Sequence, residues 1–171
     1  MVLCLPLLVL ILTGLWQVGR ITQIQQDVWN SAREAARDAS LGQDDLPAVA
    51  AKVLTYLQGV DPGAFGKGHS TSVIPSVVAL PANTTGYTCW DNTANREIFT
   101  VTFSNLTNTG SASPTAMKQL DLYRIGVQVP FASIALTTLT AIGGTGRLSA
   151  TVVWASMVDS AFQIAPRLPA E

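Results

Sequence analysis

Charge is scarce in this chain. Of its 171 residues 12% are charged and 48% hydrophobic, the formal net charge is −1, and only two lysines, Lys52 and Lys67, precede Lys118. A nucleic-acid surface needs clustered Lys and Arg, so no nucleic-acid partner is assigned. Histidine is scarcer still. His69 stands alone, so a His-rich metal site has no second imidazole. A Ser-His-Asp triad would have to use His69 in a glycine-rich loop beside Ser70, and no Gly-x-Ser-x-Gly elbow presents a nucleophile. The two cysteines supply no disulfide framework, because Cys4 lies in an apolar run and Cys89 in the polar segment 84–91. Cys89 reads as a buried small hydrophobe, with a thiol open to another chain as the alternative.

Two glycine-rich stretches invite comparison with phosphate loops and fail it. In Gly63-Ala64-Phe65-Gly66-Lys67-Gly68 the lysine is followed by Gly where Ser or Thr should ligate magnesium, and Asp61 stands where the first Gly belongs. Gly143-Gly144-Thr145-Gly146 lacks the strand-to-helix context, and both read as turns. Asn83-Thr84-Thr85 and Asn105-Leu106-Thr107 match a glycosylation acceptor pattern but read as turn and loop chemistry. No catalytic, cofactor or metal residue is therefore assigned, and the chain does not read as an enzyme.

What the chain does have is an apolar run at its start. Val2 to Gly19 carries no charge, and Arg20 is the first. Eighteen residues at about 1.5 Å each give roughly 27 Å of helix, close to the roughly 30 Å hydrocarbon core of a bilayer. A cleaved secretory signal would need a basic n-region and a small-x-small site. No Lys or Arg precedes the run and bulky residues follow it in Trp16-Gln17-Val18-Gly19-Arg20, so a retained anchor is expected.

Beyond Arg20, Ile21, Ile24, Val28, Ala32, Ala35 and Ala39 recur at three- and four-residue steps, with Gln23, Gln25, Gln26, Asp27, Arg33, Glu34, Arg37 and Asp38 between them. This is an amphipathic helical stripe. No Gly or Pro interrupts positions 20 to 41, so span and stripe form one rod of nearly 40 residues, about 60 Å long. Ala32, Ala35, Ala36 and Ala39 allow close backbone approach, either to other subunits or to the chain's own sheet. Ile21, Ile24, Val28, Ala32, Ala35, Ala36 and Ala39 are the helix-packing candidates.

Gly42 suits a left-handed helix end, Asp44 or Asp45 a new cap, and Pro47 a first turn. A second amphipathic helix is predicted over about 45 to 58, with Leu46, Val49, Val53 and Leu57 inward and Gly59 as its stop. Positions 59 to 70 read as loop. The period then changes from 3.6 to 2. Val73, Ile74, Val77 and Val78 read as an edge or bulged strand because of Pro75, and 81–95 reads as turn-rich. Phe99, Val101 and Phe103 alternate with Thr100, Thr102 and Ser104 in a half-buried strand over 97–105. Loop 105–115 leads to a strand over 120–129 through Tyr123, Ile125, Val127 and Val129, closed by Pro130. Segment 131–142 is of ambiguous type. A last strand over 148–158 places Leu148, Ala150, Val152 and Trp154 on one face.

The expected class is α+β: a long N-terminal helix, a short second helix and an antiparallel sheet of about four strands, its apolar face covered by the rod's stripe. The expected boundaries are 1–19 transmembrane, 20–41 amphipathic continuation, 42–159 the α+β domain and 160–171 a loose tail.

The segment LPLLVLILTGLWQVGRITQIQQDVWNSAREAARDAS, Leu5 to Ser40, resembles the N-terminal signature of TadE-like minor pilins of the tight-adherence system. The likeness rests on a Pro-initiated apolar run, Gly-Arg at its end, a Gln-rich first turn and the block Asn30-Ser31-Ala32-Arg33-Glu34-Ala35-Ala36-Arg37. Val127-Gln128-Val129-Pro130-Phe131 and Leu148-Ser149-Ala150-Thr151 also resemble that family's closing pattern. The resemblance implies a pilin-like subunit, with its helix in the bacterial inner membrane, its domain outside the cytoplasm, and other pilin-like subunits or the inner-membrane assembly platform as partners. Arg20 taken alone would put the domain in the cytoplasm by the positive-inside rule, opposite to the resemblance. Family members usually begin with a basic leader, a peptidase site and an early glutamate. Met1 to Leu12 contains none of these, so the start lies downstream of that site or this member is not processed. The alternative is a generic single-span envelope protein whose β-rich domain binds a ligand or another surface protein.

Overall fold

The computed structural model describes residues 4–66, 69–108, 113–134 and 146–158. Helix α1 runs unbroken over Cys4–Ser40, 37 residues or about 55 Å at the helical rise. It stops at Gly42, whose φ of +63° is the left-handed geometry that glycine adopts without strain. A second constraint acts there, because a Cβ on Gly42 would stand 2.5 Å from Val158 Cγ2.

Helix α2, Leu46–Val60, has Pro47 in its first turn and buries Leu46, Val49, Ala50, Val53, Leu54 and Leu57. Asp45 is the N-cap but makes no side-chain capping bond, and Asp44 pairs with Lys52 instead. Lys52 also pairs with Asp38, tying the end of α1 to α2. Gly59 does not stop α2 but lies within its last turn. The segment read as loop contains a four-residue helix α3, Pro62–Phe65, whose Phe65 is fully buried.

Five antiparallel strands follow, β1 Thr71–Pro75, β2 Thr84–Asp91, β3 Arg96–Asn105, β4 Leu122–Pro130 and β5 Arg147–Ala155, in the order β1-β2-β3-β4-β5. A 3-10 turn at Pro114–Ala116 and a short helix α4, Phe131–Ile134, flank β4. The sheet has one strand more than the sequence suggested. β2 lies where turns were expected, because its inward residues, Thr85, Tyr87 and Cys89, are only weakly apolar and Gly86 between them, facing outward opposite Thr102, carries no side chain. The segment after β1 folds close against this strand, where a Cβ on Gly86 would meet Leu80 Cδ1 at 2.7 Å and Ser76 Cβ at 3.2 Å. β1 ends at Pro75, and Val77, expected in the strand, is 85% exposed. Leu120 belongs to a turn before β4, not to the strand. The last strand ends at Ala155. The tail over 160–171, most of segment 131–142, the turn at 143–145 and Lys67-Gly68 lie outside the described residues.

The register sorts the side chains. Tyr87, Val101, Val127 and Ala150 are aligned across the sheet, and so are Thr85, Phe103, Ile125 and Val152. This face carries the core, covered by α1 over β4 and β5 and by α2 over β1, β2 and β3. Burial of each large side chain such as Phe99, Phe103 or Ile125 contributes about 1.5–3 kcal/mol. Phe103 and Tyr123 stack with ring centroids 5.6 Å apart. The opposite face is threonine-rich. There Thr88 and Thr100 are buried with their hydroxyls 3.0 Å apart, and Thr100 donates to Glu97 Oε1 at 2.8 Å. Arg147 grips Glu97 with two bonds of 2.6 and 2.9 Å, tying the start of β5 to β3.

Candidate assembly interface

The sequence of α1 divides it into two halves with different surroundings. From Leu7 to Val18 every large apolar side chain is between 50% and 71% exposed, with no partner surface among the described residues. Soluble monomers seldom leave so long an apolar surface uncovered. The helix that carries this stretch is, over Leu7–Ser40, long and apolar enough by length and composition to cross a membrane.

From Ile24 onward the same helix is inside the protein. Ile24, Val28, Ala32, Ala35, Ala36 and Ala39 are all buried, while Ile21, one turn earlier, is 37% exposed. Ser31, Ala32, Ala35, Ala36, Ala39 and Ser40 form a buried band of small side chains, which lets the helix backbone approach both α2 and the sheet. The two serines return their hydroxyls to the helix, Ser31 to the Val28 carbonyl at 2.8 Å and Ser40 to the Arg37 carbonyl at 2.6 Å, so neither is left unsatisfied. One bond crosses from the sheet. The Tyr123 hydroxyl donates to the Ala36 carbonyl in the core, and burial holds its proton well above the usual phenol range.

The halves meet at Arg20. Its guanidinium Nη2 donates to Asp61 Oδ2 at 3.2 Å, while Asp61 Oδ1 accepts the Gly63 N–H at 3.1 Å. Asp61 also closes α2, its own N–H donating to the Leu57 carbonyl at 2.9 Å. The pair thereby fixes the end of α2 and the start of α3 to α1 at the polar boundary. A shallow cleft of about 380 Å³ lies beside it, lined by Trp16, Gly19, Arg20, Gln23, Ile24 and Asp61. Arg20 Nε and Asp27 Oδ2 are buried and have no hydrogen-bond partner among the described residues. Burial, then the charge of Asp61, raises the Asp27 carboxyl above its ordinary pKa. Sequence reasoning missed Asp61 as a partner. Nothing in the local pattern signals it, since forty-one positions separate the two residues.

Little else offers chemistry. Cys89 is buried, and burial followed by the Asp91 charge pushes its thiol up to about 11, so it is protonated at neutral pH. Asp91 is itself held below the ordinary carboxylate range, chiefly by the Ala94 N–H and with help from Thr93, in the turn after β2. His69 is exposed in its loop. Among the described residues no three His, Cys, Asp or Glu side chains are grouped to hold a metal.

Residues 1–37 match the family model described as TadE-like protein. Over these residues the helix is similar to TadE-like proteins. The match covers the apolar run and most of the buried stripe, and it stops before α2 and the sheet. No curated protein and no solved structure matches the chain. A TadE-like helix whose first half is apolar and exposed fits a membrane-anchored, pilus-associated protein.

Proposed function

We propose that this chain is a minor pilin or pilus-assembly subunit of a tight-adherence system, non-enzymatic, which acts by packing its TadE-like helix against other pilin-like chains or the inner-membrane assembly platform. In this proposal residues 1–19 span the bacterial inner membrane, 20–41 continue the helix, 42–159 form a domain outside the cytoplasm and 160–171 a tail. The single observation that carries it is the division of the TadE-like helix into an exposed apolar half and a half consumed by the chain's own core. Ile24, Val28, Ala32, Ala35, Ala36 and Ala39 are occupied within the chain, so their role is structural and the contact with neighbours falls on Leu7 to Val18. A helix packed among like helices in the membrane is held by van der Waals contact, to which Gly14 and Gly19 contribute, each having open space around its Cα.

The test is crosslinking in intact cells from a photoreactive residue at Leu10 or Leu15, with partners identified by mass spectrometry. Pilin-like subunits or the assembly platform are the expected partners. Lipid alone, or unrelated envelope proteins, would leave an anchored binding domain as the better account.

A further inference from the structure

At the end of the domain opposite Trp16, a second group of apolar side chains lies uncovered. Leu106, Leu120, Leu122, Val153 and Met157 are 41%, 74%, 49%, 51% and 61% exposed. Backbone pairing holds them together. Leu122 faces Ala155 and Arg124 faces Val153 across β4 and β5. The Leu106 N–H donates to the Leu122 carbonyl at 2.7 Å and the Leu120 N–H to the Ser156 carbonyl at 3.1 Å. The Met157 N–H donates to the Ser40 carbonyl at 2.8 Å, which fixes the group beside the C-terminal end of α1.

Leu120 is the most exposed of the five and the most strained. It is the third residue of the turn Lys118–Asp121, closed by the Asp121 N–H on the Lys118 carbonyl at 3.2 Å, and its φ is +65°. Turns with positive φ at that position take Gly or Asn, and a leucine there costs about 1 kcal/mol or more. The surroundings enforce this geometry. The buried Asp121 carboxylate accepts the Lys118 N–H at 2.9 Å and the Asn105 amide at 3.2 Å, and the Ser156 N–H caps the Asp121 carbonyl at 2.8 Å. The chain thus holds a bulky residue in a conformation that disfavours it, with most of its side chain in solvent.

We infer that this end is a docking surface for a second protein, through a segment apolar at its centre and flanked by Asp or Glu. Charge complementarity selects the flanks: Lys118, at the head of the turn, and Arg124, directly across from Val153, are both exposed, and Asp121 between them in sequence is buried within the turn. The chain's own bilayer does not reach the patch, since Ser40 lies about 36 Å beyond Trp16 along the helix. A second copy is disfavoured as well. Copies anchored at one depth meet at this level with the same two cations, which repel across a like-to-like contact. The contact stands with or without a role in a pilus.

The test uses the full chain in the cells that make it, with a photoreactive residue at Met157 so that Leu120 and both cations are kept. The expected product is a crosslink to a protein peptide whose apolar residues have Asp or Glu within about two helical turns. Its yield should fall about tenfold or more with Leu120→Gly or Leu120→Asn, and likewise with Lys118→Glu combined with Arg124→Glu. Both Leu120 variants accept positive φ, so their Tm should equal or exceed that of the parent. Capture of lipid only, of a second copy only or of nothing would overturn the inference. A crosslink indifferent to charge reversal would do the same, as would a Tm that drops in both Leu120 variants.

Discussion

Two stretches of one helix, Leu7–Val18 and Ile24–Ala39, use different side chains because they face different solvents. The first is built from Leu, Ile, Val and Trp, large apolar groups that the chain itself leaves uncovered. The buried face of the second has Ile24 and Val28 and then only small side chains, Ser31, Ala32, Ala35, Ala36 and Ala39. Bulk is useful where lipid must be displaced. Small side chains are useful where backbone must lie on backbone. Hydrophobicity alone would rank the first half as the core, whereas the core is the less hydrophobic half, because two elements of the same domain close over it.

The sharpest way to break this comparison is to put the same charge into each half. Ala35→Asp places a carboxylate in the buried band between α1, α2 and the sheet and should cost about 3–5 kcal/mol, enough to unfold a marginal domain. Leu10→Asp should leave the domain's thermal unfolding unchanged and instead weaken membrane insertion by about 2.5–3.5 kcal/mol. Thermal melts of both variants in detergent, with carbonate extraction of membranes, separate the two effects. If Ala35→Asp melts like the parent, the buried stripe is wrongly assigned.

A smaller perturbation tests how tightly the sheet holds the second half. Tyr123→Phe keeps the ring stacked on Phe103 and removes only the hydroxyl that donates to the Ala36 carbonyl. The loss should be about 1–2 kcal/mol, seen as a lower denaturation midpoint with an unchanged m-value. A change in m would mean that α1 has left the sheet, and that this one bond governs docking.

The contrast between the halves also marks what the sequence made legible. Ile24, Val28, Ala32, Ala35 and Ala39 could be assigned to one face because the helical period is strict and, Trp29 apart, the outward positions between them are polar. β3 and β4 were equally plain, since Phe99, Val101 and Phe103, and Tyr123, Ile125, Val127 and Val129, alternate without a break. β2 was hidden for a physical reason. Its inward residues, Thr85, Tyr87 and Cys89, are only weakly apolar, and Gly86 beside them packs closely under Leu80 and Ser76. The Arg20–Asp61 pair was hidden by distance, as forty-one positions separate its partners and neither signals the other. Leu120 was read as strand because leucine before an alternating run looks like its beginning. Only the backbone dihedral separates it from β4.

The distal turn that holds Leu120 supplies a pH dependence. The Lys118 N–H, then the Asn105 amide, lower the Asp121 carboxyl below its ordinary value. A carboxyl with a depressed folded pKa stabilises the native state above its unfolded pKa of about 3.9, and that contribution disappears as pH falls through the lower folded value. The protection factors of the Lys118 and Leu122 amides, taken against the intrinsic exchange rate at each pH, should therefore fall below about pH 4 in the parent chain. In Asp121→Asn protection should already be low at neutral pH and change little with acid. Protection that is constant with pH and equal in both proteins would remove Asp121 as the support of the turn.

The smallest effect is expected at the junction of the two halves. Arg20 and Asp61 are each about a quarter exposed, so water and salt screen the pair, and such ion pairs are worth about 0–1 kcal/mol. A double-mutant cycle with Arg20→Gln and Asp61→Asn should return a coupling within that range, smaller at high salt. Its interest lies in where the effect appears. If Arg20 serves mainly to end the membrane span, Arg20→Gln should leave the domain's Tm almost unchanged while letting the helix slide deeper into the bilayer, seen as greater protection of Trp16 fluorescence from an aqueous quencher. A coupling of several kcal/mol with no change at Trp16 would assign Arg20 to the fold instead, and would move the division between the halves back toward the N-terminus by at least a turn.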